Sequence, residues 1–203
     1  MGAVRCWNSF SLNLPSFGLN LIDHQFLERK RNSPVVFAKQ GVVYVRAIVD
    51  GKLAGNAFAF RWTTGEKNVL WITQLLVDRS YRERGIARRL LDHLVEVDID
   101  IYGLMSSHPA ACVAAARIFA TSIGTILLDC TRRSAEKVMK SSPVPYVKDA
   151  KLRGSVFDPY DTSGLISSVD TGFFVDHTEP LEALGRVKQI TTCPFTHAFI
   201  NSP

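Results

Sequence analysis

The stretch from Val69 to Val97 constrains the fold of this chain more than any other part of the sequence. It reads VLWITQLLVDRSYRERGIARRLLDHLVEV. From Val69 to Val77 almost every residue is β-branched, aromatic or leucine. The run is too short for a membrane span and too apolar for a surface strand. We therefore expect a central β-strand with both faces covered.

The hydrophobic period changes at Arg84, where a helical pattern replaces the strand pattern. One stripe of apolar positions recurs every three or four residues and comprises Ile86, Ala87, Leu90, Leu91, Leu94 and Val95. The opposite side is polar and comprises Arg88, Arg89, Asp92, His93 and Glu96. The pattern predicts an amphipathic helix with one buried face.

The turn between strand and helix is rich in arginine and small residues. A helix start leaves its first N–H groups unpaired and carries the positive end of the dipole, so an anion can bind there if no side chain blocks it. Gly85 and Ala87 keep that approach open, and Arg82 and Arg84 add forked donors suited to phosphate oxygens. The turn predicts a phosphate site; the alternative is an ordinary turn with a solvated basic face.

The sequence Arg82-Glu83-Arg84-Gly85-Ile86-Ala87 resembles the Arg/Gln-x-x-Gly-x-Gly/Ala motif of the GCN5-related N-acetyltransferase (GNAT) superfamily. Gln74 to Val77 is similar to the cofactor strand of that family, and the resemblance covers about residues 40 to 125. It implies an α/β (α+β) fold with a mixed, splayed sheet flanked by helices. We expect one domain over residues 1–203, with its core at about 40–128 and an insertion and atypical C-terminal part at 131–203.

The resemblance also implies a cosubstrate and a reaction. In the family the cofactor strand splays from its neighbour, free backbone groups bind the pantetheine arm of acetyl-CoA, and the loop holds the pyrophosphate. The acetyl group then passes to an amine, which the sequence does not identify. Carried over, Leu75 and Val77 face the pantetheine and an N–H near Leu76 polarises the thioester. The implied cofactor-binding residues are Leu75, Leu76, Val77, Arg82, Glu83, Arg84, Gly85, Ile86 and Ala87.

The flanking segments fit this order of elements. Val42 to Val49 and Leu53 to Trp62 predict strands joined by an Asp50-Gly51 hairpin turn, with a bulge at Gly55. The other predicted elements are a short helix at 19–30, a polar turn at 63–68, a strand at 101–107 and a helix at 110–122. Farther along, we expect a basic helix at 131–140, strands at 164–169 and 173–176, and a helix at 179–187.

Two histidines are candidate general bases. His108 follows the strand that opens the cleft, and an imidazole titrates near neutral pH; the alternative is a structural histidine that caps its own helix. His177 lies between acidic neighbours that could orient it or could cap the next helix. In the family a tyrosine protonates the departing CoA thiolate, but Phe119-Ala120 occupies that place here.

The composition of the chain is compatible with more than one functional class. The net charge is +5 and the pI about 9.1, with a second basic cluster at Arg132, Arg133, Lys137 and Lys140. An anionic cofactor attracts such charge as nucleic acid does, but no RNA-binding aromatic signature or zinc-finger spacing accompanies it, so we do not expect a nucleic-acid partner. A non-catalytic acyl-CoA-binding module is the main alternative, and a basic nucleic-acid-binding protein is the third hypothesis.

The composition also bears on the cellular compartment of the protein and on whether it binds a metal. Four cysteines are irregularly spaced, which is typical of reduced thiols in a cytoplasmic protein. No apolar run approaches the roughly 20 residues that span a bilayer, so no membrane is expected. No His, Cys, Asp or Glu spacing argues for a metal. An oligomer is compatible with the sequence.

Overall fold

The computed structural model describes residues 6–10, 35–39, 41–119, 128–164, 167–171, 176 and 178–188, with the backbone alone at 6–10, 35–39, 128–130 and 185–188. The strands of this part of the chain are β1 Cys6–Phe10, β2 Val35–Lys39, β3 Val42–Val49, β4 Lys52–Thr64, β5 Lys67–Val77, β6 Ile101–Met105, β7 Lys151–Arg153 and β8 Ser168–Asp170. The helices are α1 Ile86–Asp92, α2 Pro109–Phe119, α3 Leu128–Lys140, α4 Pro145–Lys148 and α5 Thr178–Lys188, with one 3-10 turn at Arg79–Tyr81.

Six strands form one mixed sheet in the order β1-β6-β5-β4-β3-β2. Strands β2 to β5 pair antiparallel, whereas β6 runs parallel to both β5 and β1. Strands β7 and β8 form a separate antiparallel pair. The predicted fold class, a mixed α+β sheet flanked by helices, is confirmed.

The β3–β4 hairpin follows from its turn residues. Asp50 and Gly51 both have positive φ, 49° and 75°, as the type I′ turn of a two-residue β-hairpin requires. The pairing then shifts so that Ala47 lies opposite Gly55 and Ile48 opposite Leu53. This irregularity is the bulge that the sequence predicts at Gly55.

Each face of the sheet has its own apolar core. On one face, α1 and α2 cover Leu70 and Ile72 of β5, and the buried partners include Leu90, Leu94, Tyr102 and Phe119. On the other face, α3 and α4 cover Val69 and Trp71, together with Ile101, Met139 and Val147. The first half of β5 is therefore buried on both faces, as the sequence predicts.

The prediction that both faces of β5 are covered is wrong for the second half of the strand. Leu75 and Val77 pack against the α1–α2 core, but Leu76 on the other face is 50% exposed. The reason is that β6 pairs with β5 only from Val69 to Ile72, so the strand loses its neighbour beyond that point. A run of apolar residues does not indicate the residue at which a neighbouring strand stops pairing.

Helix α1 is shorter than its pattern predicts. It ends at Asp92, and the N–H groups of His93 and Leu94 close its last turn on the carbonyls of Arg89 and Leu91. Leu94 still reaches the core because this turn directs it inward. Residues 95–97 lie outside the helix because Glu96 instead pairs with Arg61 and accepts a hydrogen bond from the Tyr102 hydroxyl on its carbonyl.

Other predicted elements differ in their outcome. Helices α3 and α5 confirm the predictions at 131–140 and 179–187, whereas β8 overlaps the end of the strand predicted at 164–169, of which residues 165–166 lie outside the described chain. The predicted helix at 19–30 lies outside the described residues, as does the predicted strand at 173–176 except for its last residue. Strands β1 and β2 were not predicted. Among the described helices, none is both long enough and apolar enough to cross a membrane.

Candidate functional site

The sheet opens where β5 and β6 part. The last paired residues are Ile72 and Leu104, and beyond them β5 continues to Val77 while β6 ends at Met105. The β4–β5 register shifts at the same point, so that Thr73 is the extra, bulged residue. Among the described strands, none pairs with this open edge of β5, Thr73 to Val77.

The direction of each backbone group along the open edge follows from the pairing with β4. The Leu76 carbonyl faces β4, since a Cβ built on Gly55 would lie 2.7 Å from it. Both polar groups of one residue point to the same side of an antiparallel strand, and successive residues alternate. The backbone groups of Leu75 and Val77 therefore face the opening.

The loop after β5 carries the arginines to this edge. The Asp78 carboxylate accepts a hydrogen bond from the Ser80 N–H and so fixes the first turn of the loop. The Arg82 side chain returns to β5, where its Nε donates to the Val77 carbonyl at 3.2 Å. The Arg84 guanidinium lies 5.5 Å from the ring centre of Tyr81. Arg82 is thereby held at the open edge, and Arg84 is held within the loop that follows it.

Gly85 makes the end of the loop accessible. It has φ 74° and ψ 11°, a left-handed conformation in which glycine is favoured. A Cβ at this position would find no atom within 4 Å, so the space in front of it is open. The Arg89 N–H closes the first helical bond on the Gly85 carbonyl, and the N–H groups before it have no partner within α1.

Glu83 also has a positive φ, 62°, which is uncommon for a residue with a side chain. Its side chain is exposed. Glu83 and Gly85 thus both turn the backbone in the left-handed sense on either side of Arg84. Alternation of this kind directs successive N–H groups toward one concave surface, which is a known way to bind an anion.

A family model of acetyltransferases, the GNAT family, matches residues 9–119, which is more than half of the chain. The chain belongs to the GNAT acetyltransferase family. The predicted family membership is therefore confirmed. No curated protein matches the chain.

Several solved structures whose names describe acetyltransferases resemble parts of this family member. One is an aminoglycoside acetyltransferase from an uncultured soil metagenomic sample, with 22% identity over 32% of this chain and 47% of the other, at a TM-score of 0.31. A possible acetyltransferase from Clostridium difficile 630 has 22% identity, 33% and 49% coverage, and a TM-score of 0.30. A Trypanosoma brucei acetyltransferase has 26% identity, 35% and 56% coverage, and a TM-score of 0.32. The chain spans about half the length of these relatives.

One carboxylate from outside the matched residues of this GNAT family member lies against the arginine loop. Glu179, in the first turn of α5, accepts a hydrogen bond from Arg82 and lies 3.5 Å from Arg79. The Arg82 hydrogen bond is the main reason why the pKa of Glu179 lies below its usual range. A lowered carboxyl pKa means that this contact is fully present above the ordinary pKa and is lost as the pH falls through the lowered value. No local sequence pattern predicts this contact, since the partners are 97 residues apart.

Glu179 occupies the guanidinium face that a phosphate would use, so we expect Glu179→Gln to tighten acetyl-CoA binding. The expected decrease in Kd is about twofold to fivefold, the range of an exposed ion pair. Calorimetric titration at low and high salt measures it, and salt should shrink the effect. Glu182→Gln is the matched control, because Glu182 is exposed on the same helix. Equal tightening in both variants would contradict direct competition.

The structure places His108 at the start of α2, where its Nδ1 accepts a hydrogen bond from the Ala110 N–H at 3.2 Å. A neutral ring then carries its proton on Nε2, which lies 4.0 Å from Glu179. This geometry is that of a histidine that caps its own helix, which is the alternative to a catalytic base. The role of His108 as a base stays a prediction. His177 lies outside the described residues, between Asp176 and Thr178, which hydrogen-bond each other at the start of α5.

Tyr146 is a candidate site residue that the sequence did not indicate. It lies in α4, and its hydroxyl donates to the Thr73 carbonyl at 3.4 Å, at the first residue of the open edge. Burial raises the pKa of Tyr146 to about 12, so the hydroxyl keeps its proton at neutral pH. The residue lies in a segment without a clear hydrophobic period, and only the docking of α4 on the sheet brings it here.

Proposed function

We propose that the protein is an N-acetyltransferase that transfers the acetyl group of acetyl-CoA to an amine. The observation that carries this proposal is the open edge of β5 beside the Arg82–Ala87 loop, in a chain of the GNAT family. An extended edge can bind a chain-like pantetheine through backbone groups, and the adjoining loop can bind a diphosphate. No other region of the described chain combines these two features.

Each proposed cosubstrate contact has a distinct role. The backbone groups of Leu75 and the N–H of Val77 would bind the amide groups of pantetheine, since the Val77 carbonyl already accepts a hydrogen bond from Arg82. The exposed Leu76 side chain would cover its apolar part. The guanidinium groups of Arg82 and Arg84 would bind the diphosphate, together with the N–H groups of Glu83, Gly85, Ile86 and Ala87. Glu83 would act through its backbone alone, since its carboxylate would repel a phosphate.

The proposed chemistry requires a nucleophilic amine, a polarised thioester and a proton for the departing sulfur. Close placement of the amine beside the thioester supplies much of the rate. A backbone N–H at the open edge would stabilise the negative charge that develops on the thioester oxygen. The base remains His108, His177 or solvent. We propose Tyr146 as the proton donor to the thiolate, because its protonated hydroxyl lies where the two strands part.

Replacement of Tyr146 tests this role. We expect Tyr146→Phe to lower the rate of CoA release by about a hundredfold, the size of a general-acid contribution, while the Kd for acetyl-CoA changes little. Steady-state kinetics with an active amine and calorimetric binding measure the two quantities. Tyr160→Phe is the matched control, since Tyr160 is 90% exposed. An unchanged rate in Tyr146→Phe would remove Tyr146 from the mechanism.

The second candidate function is a non-catalytic acyl-CoA-binding module. Capping of α2 by His108 favours it, because the lone pair of Nδ1 is already in use, and so does Phe119-Ala120 at the usual tyrosine position. CoA release with a panel of amines separates the two candidates. Protection of the fold by acetyl-CoA together with CoA release supports the enzyme, and protection without release on any amine supports the module.

The same measurements address the nucleic-acid hypothesis. A nucleic-acid-binding protein would show steep salt dependence of binding to DNA or RNA and no thermal protection by acetyl-CoA. We expect the opposite result, because Arg82 of the loop contacts the open strand edge and no described aromatic surface accompanies it.

A further inference from the structure

A cavity lies at the other end of the sheet, away from the open edge. Its volume is about 330 Å³ and it lies between the β4–β5 turn and α3. Three cations line it, Lys67, Arg133 and Lys137, above Thr64, Ile101 and Val138. Lys67 and Leu75 are eight residues apart on β5, about 26 Å at the rise of an extended strand. The cavity is therefore separate from the proposed acetyl-CoA site.

The hydrophobic core fixes the position of α3, the helix that carries Arg133 and Lys137. Ala135, Val138 and Met139 bury one side of α3 against the sheet, and their side chains are at most 2% exposed. After the end of α3, Ser141 accepts a hydrogen bond from the Trp62 indole at 3.1 Å, which attaches the helix to β4. Arg133 and Lys137 are one turn apart and lie on the same side of this anchored helix.

The three cations of the cavity have no ion-pair partner among the described side chains, although the Asp100 carboxylate lies nearby on the Asn68 N–H. The two other cations of the basic cluster point elsewhere: Arg132 donates to the Val156 carbonyl at 2.8 Å, and Lys140 pairs with Glu136 at 2.6 Å. Within the described part of the chain, no carboxylate lies within 4.0 Å of the charged groups of Lys67, Arg133 or Lys137.

Three like charges around one concavity repel each other, and an anion relieves that repulsion. The Arg133 guanidinium can bind two oxygens of one phosphate, and the two ammonium groups add donors from other directions. The buried Thr64 hydroxyl, on a residue that is 8% exposed, supplies a neutral hydrogen-bonding group at the base. A doubly charged oxyanion matches three cations better than a single carboxylate does.

We propose that this cavity binds the phosphoryl group of a small ligand, either free phosphate or a phosphate monoester. The cavity volume suits a ligand of that size. The site does not depend on the acetyltransferase proposal, since it shares no residue with the open edge or with the arginine loop.

Calorimetric titration of the full chain tests the proposal at an ionic strength held constant with KCl. The probes are inorganic phosphate, phenyl phosphate and benzoate. We expect both phosphates to bind and benzoate to bind at least about tenfold more weakly, because it carries one charge. Tighter binding of phenyl phosphate than of phosphate identifies a monoester as the ligand class, and equal binding identifies the free ion.

Variants of the lining residues provide the decisive comparison. Lys67→Gln, Arg133→Gln and Lys137→Gln are each expected to weaken phosphate binding about tenfold, the size of one charge-assisted hydrogen bond. Lys140→Gln is the matched control, with the same charge change on the same helix outside the cavity, and should change it less than about twofold. All four side chains are exposed, so folding is not at risk.

Three results would overturn the proposal. The first is no phosphate binding by the wild type. The second is an equal loss in Lys140→Gln and Arg133→Gln, which indicates diffuse charge. The third is binding of an oligonucleotide that displaces phosphate and spans Arg132 and Lys140 as well, which indicates a nucleic-acid surface. Arg82→Gln should leave phosphate binding at the cavity intact, because Arg82 lies at the other end of β5, and this result is independent of catalytic turnover.

Discussion

Gly85→Glu is expected to abolish the thermal stabilisation of this protein by acetyl-CoA. The new side chain would enter the open space in front of the loop and place a carboxylate beside the proposed diphosphate position. Juxtaposed like charges cost several kcal/mol, so we expect the affinity to fall by about a hundredfold or more. A thermal-shift titration with acetyl-CoA in wild type and variant measures the loss.

A matched control separates this effect from backbone strain. Gly51 has φ 75°, close to the 74° of Gly85, and a Cβ there also meets no atom within 4 Å. Gly51→Glu therefore introduces the same charge and a similar strain of about 1 kcal/mol at a hairpin turn. It should lower the melting temperature of the free protein but leave the stabilisation by acetyl-CoA unchanged. Full stabilisation of Gly85→Glu would refute the loop as the diphosphate site.

Gly103→Ala is expected to destabilise the protein strongly while leaving it folded in water. Gly103 pairs with Trp71, whose side chain is fully buried. A Cβ at Gly103 would lie 2.6 Å from the indole Cδ2 and closer still to Cε3 and Cζ3. Overpacking of a core costs about 1–3 kcal/mol and sometimes more, and this indole has no free space into which to move. We expect about 3 kcal/mol or more, a large part of the typical 5–15 kcal/mol of total stability.

A double-mutant cycle checks the cause. Trp71→Leu alone leaves a cavity and should cost about 3–5 kcal/mol. If the indole is what the new methyl group meets, Gly103→Ala should cost much less when Leu occupies position 71 than it does beside Trp71. Urea unfolding followed by circular dichroism provides all four stabilities. Additive costs would show that Gly103 is required for another reason.

The features that the sequence predicts well are those with a local physical cause. Asp50-Gly51 specifies its hairpin turn because both residues accept positive φ. The arginine loop and the start of α1 follow from a change of hydrophobic period at one position. The first half of β5 is recognisable because both of its faces are buried. Each of these signals lies within a few residues of the structure that it predicts.

The features that the sequence misses depend on partners far along the chain. The exposure of Leu76 follows from the departure of β6. Tyr146 reaches Thr73 across 73 residues, and Glu179 reaches Arg82 across 97. His108 also shows this limit: the sequence places it at the end of β6, but only the hydrogen bond from Ala110 shows that its Nδ1 caps a helix.

The parallel pairing of β1 with β6 has a consequence for biosynthesis. Cys6 lies opposite Ile101 in this pairing, and Phe10 lies opposite Met105. A ribosome releases the segment of β1 long before it releases that of β6. Strand β1 therefore has no partner strand until β6 has been synthesised, whereas the intervening antiparallel hairpins can already form. This late closure between distant residues raises the contact order and places the docking of β1 among the last steps of folding.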